Sequence, residues 1–167
     1  HQWPIRSVSF SNDNRYVFAS SSTEIIAWDL LNNNEVRRIK HPEAASRPDP
    51  DLWISQAHFS PDTKFVIVGT DHDVLVLSTA TGAVFRKFSS VHADLMSATY
   101  SEDLCCIATS GFEGATRIWN LEEGKIISTA FSADFPFIMQ TAVVFGKDVK
   151  HFYTAGISGT IRAWKIP

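Results

Sequence analysis

Ile54-Ser-Gln-Ala-His-Phe59-Ser60 is a short strand-like run closed by an aromatic residue and a small one, and the same figure returns three more times along the chain. It is Ile5-Arg-Ser-Val-Ser-Phe10-Ser11 near the start, Leu95-Met-Ser-Ala-Thr-Tyr100-Ser101 in the middle, and Gln140-Thr-Ala-Val-Val-Phe145-Gly146 further on. From one anchor aromatic to the next the spacings are 49, 41 and 45 residues. Self-similarity at roughly 40–45 residues is the period of a repeated four-stranded unit.

Each anchor opens the same series of elements. First comes a polar turn: Asn12-Asp-Asn-Arg15, Pro61-Asp-Thr-Lys64, Glu102-Asp-Leu104 and Lys147-Asp148. These residue types make tight hairpin connections. A second run follows, Tyr16–Ser20, Phe65–Gly69, Cys105–Thr109 and His151–Ala155. A third ends at a tryptophan 18 or 19 residues past the anchor, namely Trp28, Trp119 and Trp164, with Leu77 in that slot of the second repeat. A fourth run, Glu35–Ile39, Val84–Phe88 and Lys125–Thr129, completes three of the repeats. Every element is short and rich in β-formers, and none has a helical period.

The pattern resembles the WD-repeat family across essentially the whole chain. Phe59-Ser-Pro-Asp62 matches the family's turn after the first strand, and Trp28-Asp29 matches its terminal dipeptide. His1 and His92, nine and eight residues before their anchors, stand where the family has its histidine, and Asp71 where it has a structural aspartate. The other repeats carry Ser22, Glu113 and Ser158 at the aspartate slot, so the family's Asp-His-Ser/Thr-Trp hydrogen-bond network is expected to be incomplete in each blade. The resemblance implies an all-β propeller of about four blades, each of four antiparallel strands, the last without its outer strand. The repeats run over residues 1–45, 46–90, 91–133 and 134–167. Rings of this family commonly hold seven or eight blades, so the remaining blades are expected in the rest of the parent chain or in a second copy.

Composition sets the bounds on function. With 44% hydrophobic, 12% aromatic and 20% charged residues the chain reads as a folded domain. Its net charge of −3, without a basic block, disfavours nucleic acid as a partner. No apolar stretch approaches the length of a membrane span. Adjacent Cys105 and Cys106, placed in one strand, would point to opposite faces and not pair, which favours a reducing intracellular setting, cytoplasmic or nuclear.

Nothing builds an active site. Asp71-His72-Asp73 carries metal-like letters without further ligands, and Gly111-Phe-Glu-Gly114 reads as turn material. No catalytic residue, metal or cofactor is expected. The resemblance instead implies a rigid scaffold that binds other proteins or peptides, as a subunit of a multiprotein complex. The alternative is an accessory domain of a larger enzyme or signalling protein. Trp28, Trp119 and Trp164 are expected in the blade core, with His92 and Asp71 in structural roles. Trp3 and Trp53 precede the first strands of their blades, where they either meet a partner or cover the end of the core. Asp94, Phe137 and Met139 hold the equivalent places in repeats three and four. The Pro-rich segment from Lys40 to Asp51 and the excursion from Ser132 to Phe137 are further candidate loops.

Overall fold

The computed structural model describes residues 4–11, 13–21, 23–40, 56–70, 73–89, 95–131 and 140–166. β-Branched and aromatic residues separated by polar turns give fifteen strands here and no helix among the described residues. The first sheet holds β1 (Ile5–Phe10), β2 (Tyr16–Ser21), β3 (Glu24–Asp29) and β4 (Asn34–Lys40). The second holds β5 (Gln56–Phe59), β6 (Phe65–Gly69), β7 (Val74–Ser78) and β8 (Val84–Phe88). The third holds β9 (Leu95–Tyr100), β10 (Cys106–Gly111), β11 (Ala115–Asn120) and β12 (Ile126–Phe131). The fourth holds β13 (Gln140–Phe145), β14 (His151–Gly156) and β15 (Ile161–Lys165), three strands rather than four.

Within each sheet consecutive strands pair antiparallel in chain order. The first strands lie side by side from sheet to sheet, β1 against β5, β5 against β9 and β9 against β13. That arrangement is radial, with β1, β5, β9 and β13 innermost, and it is the geometry of successive propeller blades. Two hydroxyls stitch the inner strands together. Ser7 Oγ donates to the Ala57 carbonyl (3.4 Å), and Ser97 Oγ, three residues before its own anchor as Ser7 is, accepts the Val143 amide (3.4 Å).

The core lies between the sheets. Ile25 and Ile39 of the first sheet pack with Ala57, Val66, Val68, Leu75 and Leu77 of the second. Ile67, Val74, Val76 and Phe88 meet Leu95, Tyr100, Ile107 and Trp119 of the third. Ala108, Ile118 and Ala130 meet Val143 and Phe152 of the fourth. Burying each large side chain of this kind contributes about 1.5–3 kcal/mol, and no sheet could bury both faces alone.

One assignment shifts against the sequence reading. Cys105, expected to open the second strand of its repeat, closes the preceding turn instead; its amide donates to Asp103 Oδ1 (3.1 Å), and the strand starts at Cys106. Cys105 is therefore exposed and Cys106 half-buried, and both are free thiols.

Candidate protein-interaction surface

A meander of four strands puts two kinds of connection at opposite ends of each blade. The turns between first and second strands, and between third and fourth, share one end. The turns between second and third strands share the other with the inter-blade loops.

The first end is pinned by a repeated side-chain clamp. Ser11, Ser60 and Ser101, each just after its anchor, donate to Asp13, Asp62 and Asp103 at 2.5, 2.7 and 2.6 Å. Each serine oxygen also accepts the amide five residues on, from Tyr16, Phe65 and Cys106, all at 2.9 Å. Each aspartate accepts the amide two residues on, from Arg15, Lys64 and Cys105. This is a local Asx-type alternative to ladder bonds. It holds Asn14, Thr63 and Leu104 in the left-handed region (φ 56, 60 and 61°).

The fourth turn departs from the pattern. Gly146 replaces the serine, and a Cβ there would lie 3.0 Å from Asp148 Oδ1. Asp148 keeps its bond from the Lys150 amide and takes the His151 ring at 2.6 Å. The clamp sets the ionisation of its acids. The Ser11 hydroxyl holds Asp13 below the usual carboxylate range, the Ser101 hydroxyl does so for Asp103, and the His151 ring for Asp148. At Asp62 burial pushes upward, but the Ser60 hydroxyl and Lys64 amide outweigh it. The four aspartates are spaced 49, 41 and 45 residues apart, as their anchors are, so the signal was present in the sequence.

The three expected core tryptophans have different surroundings. Trp119 is buried, with its indole N–H on Thr109 Oγ1 (2.9 Å) and its ring edge-on to Phe88 of the preceding sheet (5.2 Å). Trp164 is half-buried and donates likewise to Thr154 (3.0 Å). Trp28 does not fit the expectation: it is 37% exposed and donates to Asn33 (3.3 Å). Two physical reasons combine. Each tryptophan packs toward the preceding sheet, and among the described residues no sheet precedes the first. The strand register puts Ala19 where Thr109 and Thr154 stand in their blades, and alanine offers no acceptor, while Phe18 faces the other way and stacks on Phe59 of the second sheet.

Trp3, Trp53, Asp94, Phe137 and Met139, together with His1, Asp71 and His92, lie outside the described residues. So do residues 41–55 and 132–139, the two candidate loops beyond Lys40, which itself ends β4. What the structure adds at the loop end, in the turns between second and third strands, is a pair the sequence reading passed over. Gly111-Phe112-Glu113-Gly114 and Gly156-Ile157-Ser158-Gly159 are equivalent turns, closed by 3.1 Å bonds from Gly114 N to the Gly111 carbonyl and from Gly159 N to the Gly156 carbonyl. The closing glycines sit at φ 79 and 74°, where a side chain would be strained. The second residue of each turn points outward, leaving Phe112 51% and Ile157 63% exposed. Glu113, at the aspartate slot, pairs with Arg117 (2.7 Å).

Most basic side chains of the outer strands have a partner within the fold. Arg38 binds Glu24 and Glu35 (both 2.7 Å), Lys87 binds Asp73 (2.8 Å), and Arg37 and Arg86 donate to the carbonyls of Ala80 and Glu122 in the next sheet. The thiols are not activated: Asp103 pushes Cys105 up, and burial pushes Cys106 up, which disfavours the thiolate.

A family model described as "WD domain, G-beta repeat" matches residues 1–29. Two solved structures, of U3-55K and of the RRP9 WD40 repeats, superpose on all of this chain with a TM-score of 0.81 each, at 19% identity. The first repeat matches the WD-repeat model, and the chain has the fold of WD-repeat propellers. WD repeats typically act as protein-interaction scaffolds and generally do not catalyse reactions. A guanine nucleotide-binding protein subunit beta of Schizosaccharomyces pombe is 25% identical over 126 residues, which is 74% of this chain and 39% of that relative. The chain likewise spans 50% and 49% of the two solved WD-repeat structures.

Proposed function

We propose that these WD repeats form a non-catalytic docking platform in a multiprotein assembly, with partners held against the loop end of the blades. The observation that carries this is Phe112 and Ile157, two apolar side chains displayed at equivalent turn tips of adjacent sheets. Side chains already fixed on tight turns lose little freedom on binding, and aromatic anchors are common hot spots. Trp3, Trp53, Asp94, Phe137 and Met139, which come just before first strands in the sequence, are proposed as further partner contacts. The partner is a protein or peptide; a net charge of −3 without a basic block argues against a phosphate-tracking face.

The outward faces of the first and last sheets are also apolar. Val8, Phe10 and Trp28 stand exposed on one, and Val144, Tyr153 and Ile161 on the other. They occupy the positions that pack between sheets elsewhere, so we place the remaining blades there, in the rest of the parent chain. An intracellular compartment, cytoplasmic or nuclear, suits the two unpaired thiols.

Affinity purification of the full-length parent protein, read by quantitative mass spectrometry, tests the platform. A Phe112→Ala, Ile157→Ala double variant and a Trp3→Ala, Trp53→Ala double variant, each with an unchanged thermal melt, should lose stable partners that the wild type retains. A wild-type bait that recovers no stable partner refutes the complex-subunit reading. Partners retained by both variants would remove the loop end as the docking face.

A further inference from the structure

Between the first and second sheets, at the clamped end, an apolar groove of about 300 Å³ opens to solvent. Its floor is the stacked pair Phe18 and Phe59, with Ile25 and Ile39 behind them, and Val36, 46% exposed, forms one wall. That volume is at the small end of the range for ligand sites, roughly 300–1,000 Å³, which suits one or two side chains rather than a cofactor. Arg37 stands at the rim, anchored through one N–H to the Ala80 carbonyl across the groove. Among the described residues no carboxylate pairs with Arg37, and no acid lines the groove.

The corresponding groove between the second and third sheets is an internal comparison. There Phe85 takes the place of Val36 and leans on Phe65, with ring centroids 4.8 Å apart. Glu122 takes the place of Ala80 and contributes an acid to the lining, while Arg86 repeats the reach of Arg37 to the facing carbonyl. The second groove thus carries an aromatic ring on the wall where the first has Val36, and it holds its own negative charge. The first has neither feature.

We propose that the groove between the first two sheets binds an acidic linear peptide, seating one bulky apolar side chain on Phe18 and Phe59 while a neighbouring carboxylate meets Arg37. The guanidinium keeps donors beyond the one spent on Ala80, and its planar fork suits a carboxylate. This surface lies at the opposite end of the blades from Phe112 and Ile157, so it stands or falls separately from the loop-end platform.

Fluorescence polarisation on the full chain provides the test, using short fluorescein-labelled peptides with a central Trp, Phe or Leu. One set is flanked by aspartates, one by lysines, and a third has aspartates around a central Ala. The aspartate set with an apolar centre should bind and the other two should not. Arg37→Glu should weaken that binding by roughly tenfold or more, as for loss of a charge-assisted pair. Val36→Trp, which fills the groove from its exposed wall, should abolish it. Arg86→Glu, which removes the matching inter-sheet bond one groove along, should leave it intact. The proposal is overturned if no aspartate peptide binds at millimolar concentration, if the lysine set binds as well, or if Val36→Trp leaves affinity unchanged in a chain with an unaltered melt.

Discussion

Replacing Ser101 with alanine tests whether the turn clamp holds the blades in register. The Ser101 hydroxyl is only 1% exposed and serves two neighbours. It accepts the Cys106 amide at 2.9 Å and donates to Asp103 Oδ1 at 2.6 Å. Ser101→Ala leaves the Cys106 N–H at the start of β10 without its acceptor, a loss of about 1–3 kcal/mol for a buried donor. The bond to Asp103 adds less, because that carboxylate is exposed and water replaces the hydroxyl. A total of about 2–3 kcal/mol at roughly 2–4 °C per kcal/mol for a domain of this size lowers the melting temperature by about 5–10 °C. Thermal melts followed by circular dichroism give the number, and a double-mutant cycle with Asp103→Ala gives the mechanism. Because one hydroxyl joins both groups, Asp103→Ala should cost much less in the Ser101→Ala background than in the wild type, a coupling of about 1 kcal/mol. A shift under about 1 °C, or strictly additive effects, would refute the clamp.

Thr109→Val keeps the shape of the side chain but strips the acceptor from the buried Trp119 indole (2.9 Å), so it should cost about 1–3 kcal/mol; Trp28→Phe, at an exposed indole, should cost less than half as much in the same denaturant titration. Val149 holds φ at 49° in the fourth turn, a conformation that penalises a β-branched residue by about 1–2 kcal/mol, so Val149→Asn should raise the melting temperature by about 2–4 °C. Acid should destabilise the chain in two steps. Burial holds His58 below its ordinary value, so the folded state binds fewer protons and the His58 contribution is complete only above about pH 6.5, lost as pH falls further. Asp13, Asp103 and Asp148 are held low, so their contribution is complete above about pH 4 and lost below it. His58→Gln should remove the upper step from melts across pH, and Asp103→Asn should shallow the lower one.

The features legible in the sequence were those carried by local chemistry. An anchor aromatic, a turn of Ser, Asp and Asn, and alternating runs at a fixed period specify hairpins that pair with their immediate neighbours. Sheet order followed from chain order, and the fourth sheet's three strands followed from the repeat phase. What escaped depended on atoms distant in sequence or on which way a side chain turns. Trp28 has the same letters around it as a core tryptophan, yet its burial depends on a preceding sheet and on residue 19 being an acceptor, which Ala19 is not. Cys105 reads as the start of a β-run, but the Asp103 carboxylate takes its amide first and delays the strand by one residue. Phe112 read as turn material and Ile157 drew no reading, because nothing in a Gly-x-x-Gly quartet says which side chain the turn pushes outward.

The division of labour between the two ends argues for where recognition sits. At the clamped end the serines and aspartates of the first three turns are spent on holding backbone amides, and a side chain committed to its own turn has few bonds left for a partner. At the loop end the turns of the third and fourth sheets are closed by glycines and backbone bonds alone. Their second residues make no demand on the fold, so their chemistry is available for binding. On this reasoning Phe112→Ser should leave stability within about 0.5 kcal/mol, whereas Ser101→Ala does not, and binding should report the reverse order. The groove beside Arg37 is the exception at the clamped end, since its apolar surface comes from the gap between two sheets rather than from any turn. A partner reaching it would read the spacing of the blades, which Ser7, Phe18 and Phe59 fix from within.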